Sequence, residues 1–470
     1  MLSVTIKCAL ISFLGGIIFG YSCIGVNGVL TKLYSCMLGL IPEKENTWNL
    51  GFLISSINFG GLVGSAGVTS ASRNFHPCTL LAIGSAFSLC AILSIFCSSY
   101  WMHFLTRLLT GIGVGIVSTV CPSYVVEICP VRYRGSLGGL FQVSIALGIA
   151  IASIISHFVM GTGRDSGTDH YCDILVATGN SSQKAIAKLH YMFILPNCAS
   201  LLLGLIALLQ NSIWTTRKIQ RNRLPSTVSE ELGCKTTEIG YSGHDMRRFS
   251  FLHRLKKARR AVAISIMAAV ALQLTGINAV MYYTFKFLEA ANVESKSLGT
   301  IFIMLVNFSA TLLPLVIADR VGRRPLLLIG LVAMTSCMLL LCLTSNYFVN
   351  SSSKLNSVVG FTILTVYIYG FGTGPGFHFW VVCNEVLPTY FSQEGFAIAN
   401  FSQWAFLILV TFLFPWLHVL LGSFVFLLFV VPGVISLIFF YFCLPETKGL
   451  SKHTIEDLID SASWTLSKPW

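Results

Sequence analysis

Five amide side chains interrupt otherwise apolar stretches of this 470-residue sequence: Gln142, Gln273, Asn278, Asn307 and Gln403. An amide donates and accepts hydrogen bonds without carrying a charge, so it can hold a polar, uncharged ligand without the cost of burying an ion. Trp380 and Trp404 lie in similar surroundings and offer apolar faces together with an N–H donor. Taken singly, each amide is equally well explained by a hydrogen bond between helices, and each tryptophan by packing.

The apolar stretches that carry these residues are long enough to be membrane-spanning helices. Apolar residues make up 54% of the sequence and charged residues 11%, which leaves too little polar surface for a soluble protein. A helix crosses the hydrocarbon core with about 20 residues. On this window the sequence predicts an all-α polytopic membrane protein with twelve spans. They lie near residues 6–28, 48–70, 79–98, 102–126, 138–160, 189–210, 261–288, 297–317, 325–345, 357–385, 396–415 and 420–443.

The placement of positive charge orients the spans. A polar stretch over residues 213–260 separates six spans from six and holds 12 of the 31 Lys and Arg residues. The positive-inside rule makes that side cytoplasmic and places both termini there. The net charge of +12 is therefore a topology signal and does not indicate nucleic-acid binding. We predict an N-terminal half (1–211), a basic cytoplasmic linker (212–260), a C-terminal half (261–444) and a cytoplasmic tail (445–470).

Some polar residues fall in the loops predicted to face outward. Asn180 and Asn350 each begin an Asn-Ser-Ser sequon and are candidate glycosylation sites. Cys36 and Cys172 also lie in predicted outer loops and could pair, although burial as free thiols in apolar runs is the pattern for most of the 15 cysteines.

Titratable groups within the spans would be needed to carry a proton across the membrane. All 19 acidic residues fall in loops, in the tail or at span ends, so none is placed to carry a proton through the membrane. His378, two residues before Trp380, is the exception, because imidazole titrates at about pH 6.5 in water. A neutral ring bonded to a neighbouring carbonyl is the favoured interpretation, and a proton-binding role is the alternative.

The two sets of six spans carry related motifs. Glu-x-x-Pro ends span four, at Glu127, and span ten, at Glu385. Related halves predict a substrate site at their interface, near the middle of the membrane. Helices that must bend there have suitable residues: Gly276 in span seven, and Gly374, Pro375 and Gly376 in span ten.

Charged residues cluster where spans meet the predicted cytoplasmic face. They are Glu127, Arg134, Asp319, Arg323, Arg324 and Glu385. We predict ion pairs that link the halves when the inner side is closed and that break when the halves rock apart. The alternative is plain topology charge, which explains the basic residues better than the acidic ones.

These motifs together resemble one known family. They include Phe19-Gly20-Tyr21, Pro122 to Glu127, Arg134-Gly135, Gln142, Gln273 to Asn278 followed by Tyr282-Tyr283, Asp319 to Arg324, Gly374 to Gly376 with Trp380, and Pro445 to Gly449. In order and spacing they resemble the sugar-porter branch of the major facilitator superfamily, in particular the facilitative glucose transporters of animals and protozoa. The chain is similar to that branch over nearly its whole length.

The resemblance implies a substrate and a mechanism. It implies twelve helices in two six-helix halves. It also implies that these halves move a hexose, with D-glucose as the leading candidate, across the plasma membrane by alternating access. It implies that Trp380 stacks on the sugar ring while the five amides, and Trp404, line the site, and that Tyr282 and Tyr283 form an outer gate. Core packing remains an equal alternative for Tyr283.

The sequence departs from the family pattern at several places. The basic motif after span two is reduced to Ser72-Arg73-Asn74, and a basic residue expected after Glu385 is Ser392. Proton-coupled members carry Asp after the Gly-Tyr of span one, where this chain has Ser22. The reduced motif and Ser392 put the completeness of the inner gate in doubt, whereas Ser22 and the lack of a mid-span acidic residue favour downhill uniport. Proton-coupled sugar or polyol symport and a sugar sensor with little transport are the alternatives. No phosphate-binding loop, nucleophile motif or metal-ligand spacing is found, so we predict no enzyme activity, cofactor or metal, and the sequence does not address oligomeric state.

Overall fold

The computed structural model describes residues 2–25, 46–96, 100–129, 133–160, 194–210, 250–281, 296–348 and 354–461. Within these ranges the chain is almost entirely helical, and each predicted span overlaps a helix. The helices are α1 (Leu2–Gly20), α2 (Asn46–Ala71), α3 (Pro77–Leu89), α4 (Tyr100–Ile128), α5 (Arg134–Met160), α6 (Ile194–Gln210), α7 (Phe251–Lys257), α8 (Arg259–Gln273), α9 (Lys296–Val321), α10 (Arg323–Phe348), α11 (Lys354–Phe371), α12 (Phe377–Val386), α13 (Ser392–Leu421), α14 (Leu427–Cys443) and α15 (Lys452–Ser461).

Eight helical segments of the described chain are long and apolar enough to cross a membrane: Thr5–Cys23, Tyr100–Ile128, Gly135–Phe158, Arg259–Met281, Leu298–Val321, Arg323–Thr344, Thr389–Phe414 and Phe424–Cys443. Two shorter apolar helices, Pro77–Leu93 and Ile194–Gln210, accompany them. Many of these helices expose large apolar side chains such as Leu209, Val316 and Ile329, which is the surface expected against lipid tails.

Glycines let helices of the N-terminal half touch backbone to backbone. A Cβ atom on Gly60 of α2 would lie 2.1 Å from the Leu108 carbonyl oxygen, and one on Gly111 of α4 would lie 2.1 Å from that of Ile57. A Cβ atom on Gly113 of α4 would likewise lie 2.4 Å from the Gly84 carbonyl oxygen of α3. Small residues are the usual means of close helix packing in membranes, because they bring many backbone atoms into van der Waals contact.

Span ten is not one continuous helix. A π-helical turn, Gly372–Gly376, separates α11 from α12, and Gly374 leaves the helical region with φ −99° and ψ −118°. The turn packs against α10, where a Cβ atom on Gly330 would lie 2.4 Å from the Gly374 Cα atom. Span seven is interrupted too: α8 ends at Gln273, Gly276 has a φ of +97°, and helix resumes through Met281.

The two halves meet along α2 with α13 and along α5 with α9. Trp404 of α13 lies against Gly61 of α2, where an added Cβ atom would be 2.7 Å from the indole ring. Phe377 of α12 lies against Gly139 of α5, where an added Cβ atom would be 2.0 Å from the phenyl ring. The absence of a side chain at these two positions therefore allows the halves to approach at the centre of the molecule.

Candidate functional site

Aromatic rings from both halves converge on Trp380. The ring centroid of Phe141 in α5 lies 4.7 Å from that of Trp380, and Phe19 in α1 lies 6.1 Å away. Phe19 also contacts Trp404, with centroids 5.2 Å apart. On the C-terminal side Phe379 lies 4.9 Å from Trp380. The cluster supplies the apolar, flat surface on which a ring could stack.

One predicted pair of site residues is joined directly. The indole Nε1–H of Trp380 donates a hydrogen bond of 2.7 Å to Oε1 of Gln142. Both side chains are buried, with Trp380 1% and Gln142 5% exposed. Because α5 belongs to the N-terminal half and α12 to the C-terminal half, this bond crosses the interface between them.

A second predicted pair lies at the interruption of span seven. The Asn278 amide nitrogen donates to Oε1 of Gln273, and both side chains are buried. The left-handed turn at Gly276 interrupts the helix between these two residues.

The other predicted amides have unused hydrogen-bonding capacity. Asn307 in α9 and Gln403 in α13 are 2% and 1% exposed. Within the described part of the chain, the side-chain oxygen of each has no hydrogen-bond partner, nor does the indole nitrogen of Trp404 or the hydroxyl of Tyr21. Buried polar atoms are nearly always paired, so these atoms are suited to a polar ligand.

A neutral contact between the halves was not predicted from the sequence. Asn400 of α13 donates from Nδ2 to the hydroxyls of Ser118, at 3.0 Å, and Thr119, at 2.7 Å, in α4. Both hydroxyls donate in turn to the Gly115 carbonyl oxygen, which leaves their lone pairs free to accept. Asn400 is fully buried, and its position four residues before Trp404 in an apolar run was the signal available.

The charged residues predicted to form a gate are partly brought together, within the C-terminal half. Arg323 pairs with Asp319 at 3.1 Å and with Glu385 at 3.7 Å. Glu385 also accepts a hydrogen bond of 2.5 Å from Thr447. Contact with the N-terminal half is made by Ser136, whose hydroxyl donates to Asp319 at 2.9 Å.

The other members of the predicted gate are placed differently. Arg324 donates to the Tyr441 carbonyl oxygen at 2.6 Å. The carboxylate of Glu446, which was not predicted, accepts from the backbone N–H groups of Arg323 and Arg324 and so caps the start of α10. Glu127 is exposed at the end of α4, and the side chain of Arg134 lies outside the described part.

Two ion pairs at the same face share one carboxylate and were not predicted from the sequence, and one of them crosses between the halves. Glu394, at the start of α13, pairs with Arg73 after α2 at 2.8 Å and with Arg254 of α7 at 2.7 Å. Glu394 and Arg254 side chains are each 6% exposed, whereas Arg73 is 44% exposed. In the sequence, Ser392 and the reduced motif around Arg73 indicate an incomplete inner gate, but neither points to Glu394.

The C-terminal helix packs under the same face. Ile455 and Ile459 of α15 are buried, and Arg260 donates to the carbonyl oxygens of Ile459 and Asp460 at the helix end. Burial raises the pKa of Glu456 on this helix, and the Lys257 ammonium opposes that rise.

His378 is fully buried in α12. Its Nδ1 lies 2.8 Å from the carbonyl oxygen of Gly374, the residue where the helix breaks. Its Nε2 has no hydrogen-bond partner among the described residues. The bond to a neighbouring carbonyl is the one expected of a neutral ring.

Several predicted residues lie outside the described part: Tyr282, Tyr283, Asn180, Asn350, Cys36 and Cys172. The outer gate, the glycosylation sites and the cysteine pair therefore stay predictions. The roles of the amides and tryptophans in binding likewise stay predictions.

Known proteins resemble the chain over nearly its full length. The profile of the family described as "Sugar (and other) transporter" matches residues 7–458. The chain is 28% identical to "Solute carrier family 2, facilitated glucose transporter member 1" of Gallus gallus, over 89% of this chain and 84% of that protein. It is 26% identical to "Major myo-inositol transporter IolT" of Bacillus subtilis, over 95% of this chain and 93% of that protein.

Solved structures share the fold. The proton:xylose symporter XylE, a major facilitator superfamily protein bound to 6-bromo-6-deoxy-D-glucose, superposes with a TM-score of 0.78 at 22% identity, over 97% of this chain and 99% of that one. An inward-open conformation of XylE from E. coli superposes with a TM-score of 0.66 at 22% identity, over 97% of this chain and 99% of that one. With the family profile covering residues 7–458, the chain belongs to the sugar (and other) transporter family and is a multi-pass membrane sugar transporter of the major facilitator fold.

Proposed function

We propose that this chain carries out facilitative uniport of a hexose across the plasma membrane by alternating access, with D-glucose as the leading candidate. The observation that carries the proposal is the central site: an indole and an amide joined across the interface, surrounded by phenyl rings. A hexose has hydroxyls for such amides and an apolar ring face for such rings, and it carries no charge that would need a buried counter-ion.

The neutral chemistry of the site supports the sugar, and the distribution of acids supports downhill movement. Asn307 and Gln403 offer buried oxygen atoms with no hydrogen-bond partner in the described part of the chain. In the sequence, the 19 acidic residues lie at span ends, in loops or in the tail. The hydroxyl of Ser22 does not titrate at physiological pH, so it cannot carry a coupled proton.

The test is uptake of labelled D-glucose into liposomes that contain the purified protein. We expect uptake that saturates, that stops when inside and outside concentrations are equal, and that is unchanged by an imposed pH gradient. Unlabelled D-xylose, D-fructose and myo-inositol, added in turn, will show which substrate competes best. Accumulation above the outside concentration under a proton gradient would contradict uniport, and competition by myo-inositol alone would contradict the hexose.

Proton-coupled symport is the second candidate, and His378 is the residue that favours it. Its Nε2 is buried and has no hydrogen-bond partner among the described residues, so it could receive a proton during the cycle. If the proton gradient does drive accumulation, His378→Asn should abolish accumulation and leave downhill uptake in place. Persistence of accumulation in that variant would exclude His378 as the carrier.

A sugar sensor with little transport is a third candidate. It predicts D-glucose binding with negligible flux. Binding measured by intrinsic tryptophan fluorescence, together with the uptake assay, separates it from both transporter hypotheses, since Trp380 and Trp404 lie in the candidate site.

A further inference from the structure

We propose that the indole N–H of Trp380 takes the place of a sugar hydroxyl when the carrier reorients without sugar. The inference rests on the proposed uniport and assigns a role to the N–H bond of Trp380 that is separate from stacking by its ring. It concerns the step in which the empty carrier closes its inner side and returns to face outward.

A uniporter must make that step to produce net flux. Sugar entering an otherwise empty compartment is released inside, and the carrier must then return unloaded before it can bind again. When unlabelled sugar is already present inside, the carrier can return loaded, and the empty step is avoided. A group that stabilises the closed form of the empty carrier therefore affects net entry more than exchange.

Closure without sugar raises a problem at Gln142. The side chain is 5% exposed and faces the other half, so bringing the halves together would bury its carbonyl oxygen without a partner. An unpaired buried acceptor costs free energy comparable to a lost hydrogen bond. In a loaded carrier, a sugar hydroxyl could satisfy this oxygen.

The structure supplies an internal donor for the same atom. Trp380 Nε1 lies 2.7 Å from the Gln142 oxygen, across the interface between α5 and α12. The position is fixed by packing, since Phe141 lies against the indole at 4.7 Å and Phe377 fills the space beside Gly139, one turn from Gln142. The two halves can thus close on each other with this acceptor paired.

The bond is made while the inner ends of the halves are in contact. Asn400 bonds Ser118 and Thr119, and Glu394 pairs with Arg73, so the halves are joined from the inner face to the centre. During sugar entry, the return step ends in this arrangement. Formation of the Trp380–Gln142 bond therefore lowers the barrier for the empty carrier to leave the inward-facing state.

The test compares net entry with exchange for one variant. Labelled D-glucose entry is measured in cells that lack other hexose carriers, either empty or preloaded with unlabelled D-glucose. Trp380→Phe removes the N–H group and keeps an aromatic ring. Entry into preloaded cells measures exchange, and entry into empty cells measures net entry. We expect the ratio of exchange to net entry to rise roughly three- to tenfold, which is the effect of losing one hydrogen bond of ordinary strength.

Trp404→Phe is the matched control. It removes an indole N–H group that has no hydrogen-bond partner within the described chain and leaves the contact with Gly61 to a smaller ring. Loss of a sugar contact at Trp404 would lower exchange and net entry together, so the ratio should stay at the wild-type value. An unchanged ratio in Trp380→Phe, or an equal rise in Trp404→Phe, would overturn the inference.

Two further outcomes are distinguishable. If Trp380→Phe does not reach the membrane, Gln142→Leu breaks the same bond from the other side. It leaves the Trp380 N–H group buried without an acceptor when the empty carrier closes, so it must raise the same ratio, or the inference fails. If the unsubstituted protein moves no labelled D-glucose in empty or in preloaded cells, the proposed function fails and takes this inference with it. If the unsubstituted protein exchanges D-glucose but neither Trp380→Phe nor Gln142→Leu changes the ratio, the inference fails and the proposed function stands.

Discussion

Gln403 is next to Trp404 in α13 and almost fully buried, yet no described residue donates a hydrogen bond to its side-chain oxygen. An acceptor of this kind contributes little to folding, because it has lost its hydration without gaining a partner. If a sugar hydroxyl donates to it, its contribution appears in substrate affinity instead. The two effects can be separated by one substitution.

Gln403→Leu should raise the apparent KM for D-glucose by about five- to tenfold, equivalent to about 1 kcal/mol of lost hydrogen bonding. The melting temperature in detergent should not fall, because the substitution removes an unpaired polar atom and keeps a similar volume. Uptake kinetics in liposomes and thermal unfolding measure the two quantities.

Ser402→Ala is the neighbouring control, because the Ser402 hydroxyl bonds within its own helix, to the Ile398 carbonyl oxygen. It should leave KM unchanged. A normal KM in Gln403→Leu would remove this amide from the sugar site.

Amide chemistry could be predicted at the residue scale because so few polar groups occur within the spans. Gln142 and Trp380 stand out from the apolar residues around them, but they are 238 positions apart. Their spacing gives no indication that they bond to each other. Asn400 was overlooked because a single asparagine does not reveal the Ser118 and Thr119 hydroxyls opposite it.

At the scale of helices, Glu394 provides the ion pair that joins the inner ends of the two halves, because the expected pairs of Arg323 lie within the C-terminal half. Arg254 approaches its carboxylate with two nitrogens, Nη1 at 2.7 Å and Nη2 at 2.8 Å, while Arg73 reaches it from the other half. The Arg254 interaction is buried, whereas Arg73 is partly exposed, so the cross-half arm is the weaker of the two.

Glu394→Gln should destabilise the inner-closed arrangement by about 3 kcal/mol, since it leaves Arg254 buried beside a neutral amide. Arg73→Gln should cost about 1 kcal/mol or less, because that side chain is partly solvated. Spin labels at Phe75 and Ser461, carried on unnatural amino acids, would report the separation of the inner ends, and we expect the longer-distance population to grow most in Glu394→Gln.

Asp457→Asn provides the control, because the pair between His453 and Asp457 is exposed and lies within one helix. It should not alter the distance distribution. If Glu394→Gln gave the wild-type distribution, the Arg73–Glu394–Arg254 cluster would not hold the inner side closed.

At the scale of the whole molecule, orientation in the membrane follows from charge. The basic stretch over residues 213–260 predicts a cytoplasmic linker and cytoplasmic termini. A tag at either terminus of the protein expressed in intact animal cells should resist protease added outside and become sensitive once the membrane is permeabilised. Digestion of either tag in intact cells would reverse the predicted orientation.

The same predicted orientation would expose Asn180 and Asn350 to the glycosylation machinery. Glycosidase should increase the electrophoretic mobility of the protein, and the double variant Asn180→Gln/Asn350→Gln should migrate like the treated form. Asn307→Gln serves as the control, because Asn307 lies within α9 and should not be modified. A residual shift in the double variant would mean that another asparagine is modified.

The sequence by itself determined that this chain crosses a membrane many times and which few polar residues are left inside the apolar runs, and from charge it predicts the orientation. Those properties depend on composition and on the length of apolar runs, and each can be read locally because the lipid imposes the same requirement on every span. The tertiary structure decided which residues face each other: Trp380 with Gln142, Asn400 with Ser118, Glu394 with Arg73. These contacts join different halves of the chain, and they depend on glycines such as Gly61 and Gly139 that let the halves approach, so no local pattern could predict them.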